Sequence, residues 1–196
     1  YTNLTLANLS ITSGRQDIYS QPYAGYCNVE IINLDQSPIV MDINDQISIK
    51  VKDSTGTYVN LFGGDVTDID VEVSSSGTGG INERIKIVAL GALAKLPKIL
   101  TDGVLSKDFD GDQIYTILSA LLFGRWNSVP AALTWASYDP TTTWANAENT
   151  GLGEIDQPGD YELTARSAET IDVYSLVSGL ATSGLGYLYE DSSGRI

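Results

Sequence analysis

The chain has 196 residues, with 25 Asp and Glu against 11 Lys and Arg, for a formal net charge of −14. That balance argues against a surface built to grip nucleic acid, which needs clustered Lys and Arg, and it also suits plain solubility. The absence of His and the single Cys exclude an intramolecular disulfide, a His-based metal site and a Ser-His-Asp triad. The length suffices for one large or two small domains, and hydrophobic residues, 42% of the chain, are enough to fill a core. No apolar run approaches membrane-spanning length, and no secretory signal is visible, so no membrane insertion by this segment is expected. The chain opens at Tyr1 without Met and ends at Ile196 just after a turn signal, which leads us to expect a segment of a longer protein.

Leu4, Leu6, Leu9 and Ile11 alternate loosely and predict a first strand, broken at Gly14-Arg15. Pro22 keeps the next stretch irregular. Tyr26 to Leu34 reads as a strong strand. Its inward parity starts at Cys27, Val29 and Ile31 and then shifts to Ile32 and Leu34, which predicts a bulge. Cys27 reads as a small core residue. Ile47, Ile49 and Val51 alternate with Ser48, Lys50 and Lys52, the period of a half-buried strand. Asp53-Ser-Thr-Gly56 is the turn to the strand that follows.

Asp68, Asp70 and Glu72 share one face of a strand, opposite Ile69, Val71 and Val73. On the return strand, Glu83 to Leu90, Arg84 and Lys86 share one face and Ile85 and Ile87 the other. One register sets Glu72 opposite Arg84, Asp70 opposite Lys86, Val71 opposite Ile85 and Ile69 opposite Ile87. A slip of one residue destroys both matches. Ser74 to Gly80 between them reads as a flexible loop. Ala89 to Pro97 turns from strand to a short helical piece, where we place the domain boundary.

Phe109 to Phe123 is the clearest helix, with Ile114, Ile117, Leu118, Leu121 and Leu122 as its apolar stripe. Asp110 and Gln113 make a capping-box pattern, and Phe109 and Ile114 are spaced for a hydrophobic staple. Asp108-x-Asp110-x-Asp112 resembles the start of a calcium loop. The sixth and twelfth positions of such a loop would be Gln113 and Ser119, where Gly and Glu are required, so capping is the favoured role and no metal is expected. Arg125 to Asp160 is a long irregular stretch. Trp126, Trp135, Tyr138 and Trp144 within it are candidates for a subunit interface, with a glycan-stacking surface or buried filling as the other readings. Tyr161 to Thr164 reads as a short strand. A second helix is expected to begin near Ser167, with Val173, Leu176, Val177 and Leu180 as its stripe and Gly184 as its stop. Gly186 to Ile196 reads as a strand, a turn and the start of another strand.

The fold class expected is therefore mainly β with some α (α+β). Residues 1–97 form an antiparallel β-barrel or sandwich, and residues 98–196 form a smaller α+β domain, incomplete at its C-terminus. The order of I-T-S-G-R (Ile11 to Arg15), a Gly before a strand ending in N-L-D (Asn33 to Asp35), D-Q-I-S-I (Asp45 to Ile49) and L-F-G-G-D-V-T-D-I (Leu61 to Ile69) resembles the amino-terminal barrel of minor tail proteins of long-tailed bacteriophages, in the tail-tip or baseplate hub family. Gly186 to Arg195 is similar to the second domain of that family. The resemblance implies a structural virion protein at the distal end of the tail. Such a subunit would assemble with copies of itself into a ring that continues the tail tube, against neighbouring tube, distal-tail, tape-measure or tip proteins.

The chemistry in the sequence points to no enzyme and no cofactor: there is no P-loop, dinucleotide fingerprint or zinc motif. The Gly-rich run at Gly77 to Gly80 joins two strands and has no following helix to offer a phosphate. Two further readings stand beside the tail protein. One is a carbohydrate-binding module using the aromatic stretch. The other is an acidic glycosidase domain using two of Glu148, Glu154, Asp156 and Asp160, which would have to face each other across a cleft.

Overall fold

The computed structural model describes residues 4–15, 17–34, 38–76, 80–122, 155 and 158–196. The first half is one five-stranded antiparallel sheet of β1 (Leu4–Gly14), β2 (Tyr23–Asn33), β3 (Gln46–Lys52), β4 (Tyr58–Ser76) and β5 (Gly80–Leu90). Its spatial order is β1-β2-β5-β4-β3. The sheet curls into a half-barrel and is followed by a smaller α+β region. Curling brings Leu9 and Ile11 of β1, at one edge, and Ile47 and Ile49 of β3, at the other, onto the same buried Cys27, Phe62 and Ala89. Val29, Val66, Ile85 and Ile87 continue that interior, and Ile39 and Met41 from the β2–β3 connection pack against them. Burial leaves the Cys27 thiol in a neutral, inert state and pushes its pKa up.

The charge-derived hairpin register is the one formed: Glu72 lies opposite Arg84, Asp70 opposite Lys86, Val71 opposite Ile85 and Ile69 opposite Ile87. The ion pairs themselves run diagonally. Arg84 Nε reaches Glu30 on β2 at 2.8 Å, and Lys86 Nζ reaches Glu72 at 3.9 Å. The aliphatic face therefore fixes the register, and long side chains choose partners within it. Within the stretch read as a loop, Ser74 to Gly80, the described residues Ser74, Ser75, Ser76 and Gly80 are strand, with Ser76 opposite Gly80.

The parity shift expected in β2 does not occur. Val29, Ile31 and Asn33 stay on one face, and Leu34 is exposed. The register shifts lie instead between Leu6 and Asn8 and between Thr12 and Gly14 in the β1–β2 pairing, the latter at the start of β2, between Ile49 and Lys50 in the β3–β4 pairing, and between Val66 and Asp68 in the β4–β5 pairing. Keeping parity buries Asn33 completely, and it donates through Nδ2 to Glu83 Oε2 at 2.7 Å, its directly opposed neighbour on β5. A buried amide with a charged acceptor replaces the aliphatic contact the pattern suggested.

A 3-10 helix (Ala92–Lys98) leaves the sheet, with Pro97 inside it rather than at its end. Its Lys95 pairs with the buried Asp65 of β4 at 2.5 Å. Then come β6 (Leu100–Thr101), β7 (Asp108–Phe109), α1 (Asp110–Leu122), β8 (Glu162–Leu163), β9 (Ile171–Asp172) and α2 (Val173–Ser183). β6 pairs with β9 and β7 with β8. Ile117 and Leu118 of α1 share one core with Val173, Leu176 and Val177 of α2 and with Leu93 and Leu96 of the 3-10 helix. The Leu121 and Leu122 side chains lie outside the described residues.

The expected capping box does not form, because both of its residues serve tertiary structure. Asp110 Oδ1 accepts from the backbone N–H of Tyr161, and the buried Gln113 donates to the carbonyls of Ser106 and Thr164. The second helix starts at Val173, not near Ser167. Asp172 is its N-cap and accepts from the Ser175 N–H at 2.8 Å, and the residues just before it are drawn into β9. Gly184 ends it as expected.

Candidate subunit interface

Trp126, Trp135, Tyr138 and Trp144 fall outside the described residues, as do Glu148, Glu154 and Asp156. Asp160 is exposed. Asp108, Asp110 and Asp112 do not converge: among the described residues no group of three or more His, Cys, Asp or Glu is placed to hold a metal ion.

What the fold presents is an open sheet. β1 and β3 are its edges and are not hydrogen-bonded to each other. The inner face, buried at its centre, becomes exposed toward one end and one edge. Leu6 is 58% exposed, Val71 49% and Val73 64%, although each shares the face of a neighbour packed in the interior. Val51 and Val59, paired across β3 and β4, are each 46% exposed. Five aliphatic side chains on the core side of a sheet, half in water, make a surface suited to being covered. Sequence pattern identifies their face but not their exposure, since alternation looks the same along a sealed strand and an open one.

The outer face of the same strands is polar. Asp68, Asp70 and Glu72 are exposed along β4, with Arg84 and Lys86 beside them on β5. The stripe is partly neutralised, with Asp70 opposite Lys86, Glu72 opposite Arg84 and Lys86 Nζ also reaching Glu72.

The segment after α2 contains no strand at Gly186 to Tyr189, contrary to the sequence pattern. It runs instead as a strap across the sheet end. Leu188 is buried, and its N–H donates to Gln21 Oε1 at 2.9 Å. Glu190 accepts from the N–H of Gly25 through Oε1 and from the N–H of Leu93 through Oε2, the latter at 2.8 Å. Gly25 and Gly91 make room for that carboxylate: a Cβ on Gly91 would stand 1.8 Å from Glu190 Oε1. Burial raises the Glu190 pKa, and the two backbone donors act against that rise. Beyond it Asp191 closes a turn by accepting from the N–H groups of Ser193 and Arg195, and it pairs with the Arg195 guanidinium. That turn lies on Gly63, where any Cβ would strike the Ser193 backbone. The motif G-Y-L-Y-E-D-S-S-G-R is thus a clasp that holds the α+β region to the sheet, and its acidic residues are occupied structurally.

No protein-family model and no curated protein matches this chain.

Proposed function

We propose that this chain is a structural subunit of a bacteriophage tail, at its distal end, assembling with copies of itself into a ring that continues the tail tube. The resemblance of the stretch from Leu9 to Val73 to minor tail proteins motivates the reading. The observation that carries it is the unsealed half-barrel, with two edge strands that pair with no further strand among the described residues and Leu6, Val51, Val59, Val71 and Val73 exposed on the core side. A sheet open at both edges joins copies head to tail, and head-to-tail contacts close into rings when the rotation between copies allows. The net charge of −14 supports a role beside passing DNA without binding it. The work is mechanical and electrostatic, with no catalytic step. Electron-microscopic imaging of the particle, with this chain labelled, tests the reading. A symmetric ring near the tail tip is expected, and a position in the capsid shell would overturn it.

A further inference from the structure

The two free edges of the sheet differ in a way that suits each to the other. Among the described residues nothing pairs with the outer side of β1 along its eleven residues, and Leu4 to Gly14 contains no charged residue. β3 is seven residues long and carries Lys50 and Lys52, and Lys50 is exposed. Lysines on an edge guard it against its own kind. Antiparallel pairing of two β3 strands over their full length would set each Lys50 opposite Ser48 and diagonal to the Lys50 of the other copy on one face, which is repulsive. β1 brings no charge to meet them.

Direction follows from topology. Four antiparallel pairings separate β1 from β3, so the two edges run parallel to each other. Continuing the curl into a second copy by rotation therefore lays β3 of one copy parallel to β1 of the next.

We infer that β3 of one copy pairs in parallel with β1 of the next, with Ile47 beside Leu9 and Ile49 beside Ile11. All four side chains belong to the interior face. The same alignment sets Lys50 beside Thr12 on the outer face. It also brings Asp53, just past β3, level with Arg15, just past β1. Both are exposed and of opposite sign. Asp53 Oδ1 is engaged by Thr55 and Thr57, and the Arg15 guanidinium lies 4.2 Å over the Tyr187 ring, so each charge is held near its strand end. A slip of one residue would turn the aliphatic pairs to opposite faces. This deepens the ring reading by naming its edges, and it rests on that reading only for closure.

The test uses Thr12→Cys and Lys50→Cys variants of the 196-residue chain, both at exposed positions. The native Cys27 is fully buried and does not compete. Neighbouring strands bring such pairs within disulfide reach. Under mild oxidation, the mixture of the two variants should give a covalent dimer several-fold more abundant than either variant alone. No such excess at any protein concentration overturns the edge pairing, whether or not rings are imaged in the sample. A dimer from Thr12→Cys alone, with no further gain on mixing, also overturns it, in favour of two β1 strands around a twofold axis. Cross-linked mixtures that image as open filaments keep the edge pairing and overturn the ring.

Discussion

Replacing Glu190 tests the clasp most directly. In Glu190→Ala the N–H groups of Gly25 and Leu93 lose the carboxylate that accepts from both. Each unsatisfied partly buried donor costs about 1–3 kcal/mol, and release of a partly buried carboxylate returns some of that. The expected net loss is about 2–4 kcal/mol. Glu190→Gln keeps the shape but turns an NH₂ toward one of the two donors, so about half of that loss is expected. Urea denaturation gives the magnitude through the midpoint at constant slope. Amide hydrogen exchange at Gly25 and Leu93 shows whether the loss is local. The pH dependence has a defined sign. The folded pKa of Glu190 is raised above its ordinary 4.5, mainly by burial. Its stabilising contribution is therefore fully present below pH 4.5 and is lost as pH rises through the folded pKa. The advantage of the wild type over Glu190→Gln should then grow as pH falls toward 4.5. Equal midpoints for wild type and both variants, with unchanged exchange at Gly25 and Leu93, would refute the clasp.

Two further outcomes follow from the fold. Ile87→Ala, at a nearly inaccessible position in the half-barrel interior, should lower stability by about 2–5 kcal/mol in urea titration, and a loss under about 1 kcal/mol would mean that the interior is not packed around it. Asp172→Ala removes the N-cap of α2 and should cost about 1 kcal/mol at neutral pH. The Asp172 pKa is lowered, first by its side-chain hydrogen bond with Ser175, so the difference should be present above pH 3.8 and vanish as pH falls through the lowered value; a difference that persists in acid would contradict the cap.

Period-two alternation with charge matching determined the β4–β5 register, because a one-residue slip would move every aliphatic side chain off the core face. The same local logic places the cores of both helices and the Gly184 stop. Other features were decided only by contacts distant in sequence. Asp110 and Gln113 have the spacing of a capping box, yet Tyr161, Thr164 and the carbonyl of Ser106 supply their partners, and these hydrogen bonds win over the capping ones. Asn33 is buried because Glu83, 50 residues on, stands opposite it. Gly186 to Tyr189 alternates like a strand, but Gln21, Gly25 and Leu93 take up its polar groups and those of Glu190, and a strap forms where a strand was expected. The candidate interface belongs to this second kind. Sequence gives the charge-free composition of β1 and the lysines of β3. That these two strands are the open edges of one curled sheet depends on the order β1-β2-β5-β4-β3, which is set by pairings between distant segments and not by any local pattern.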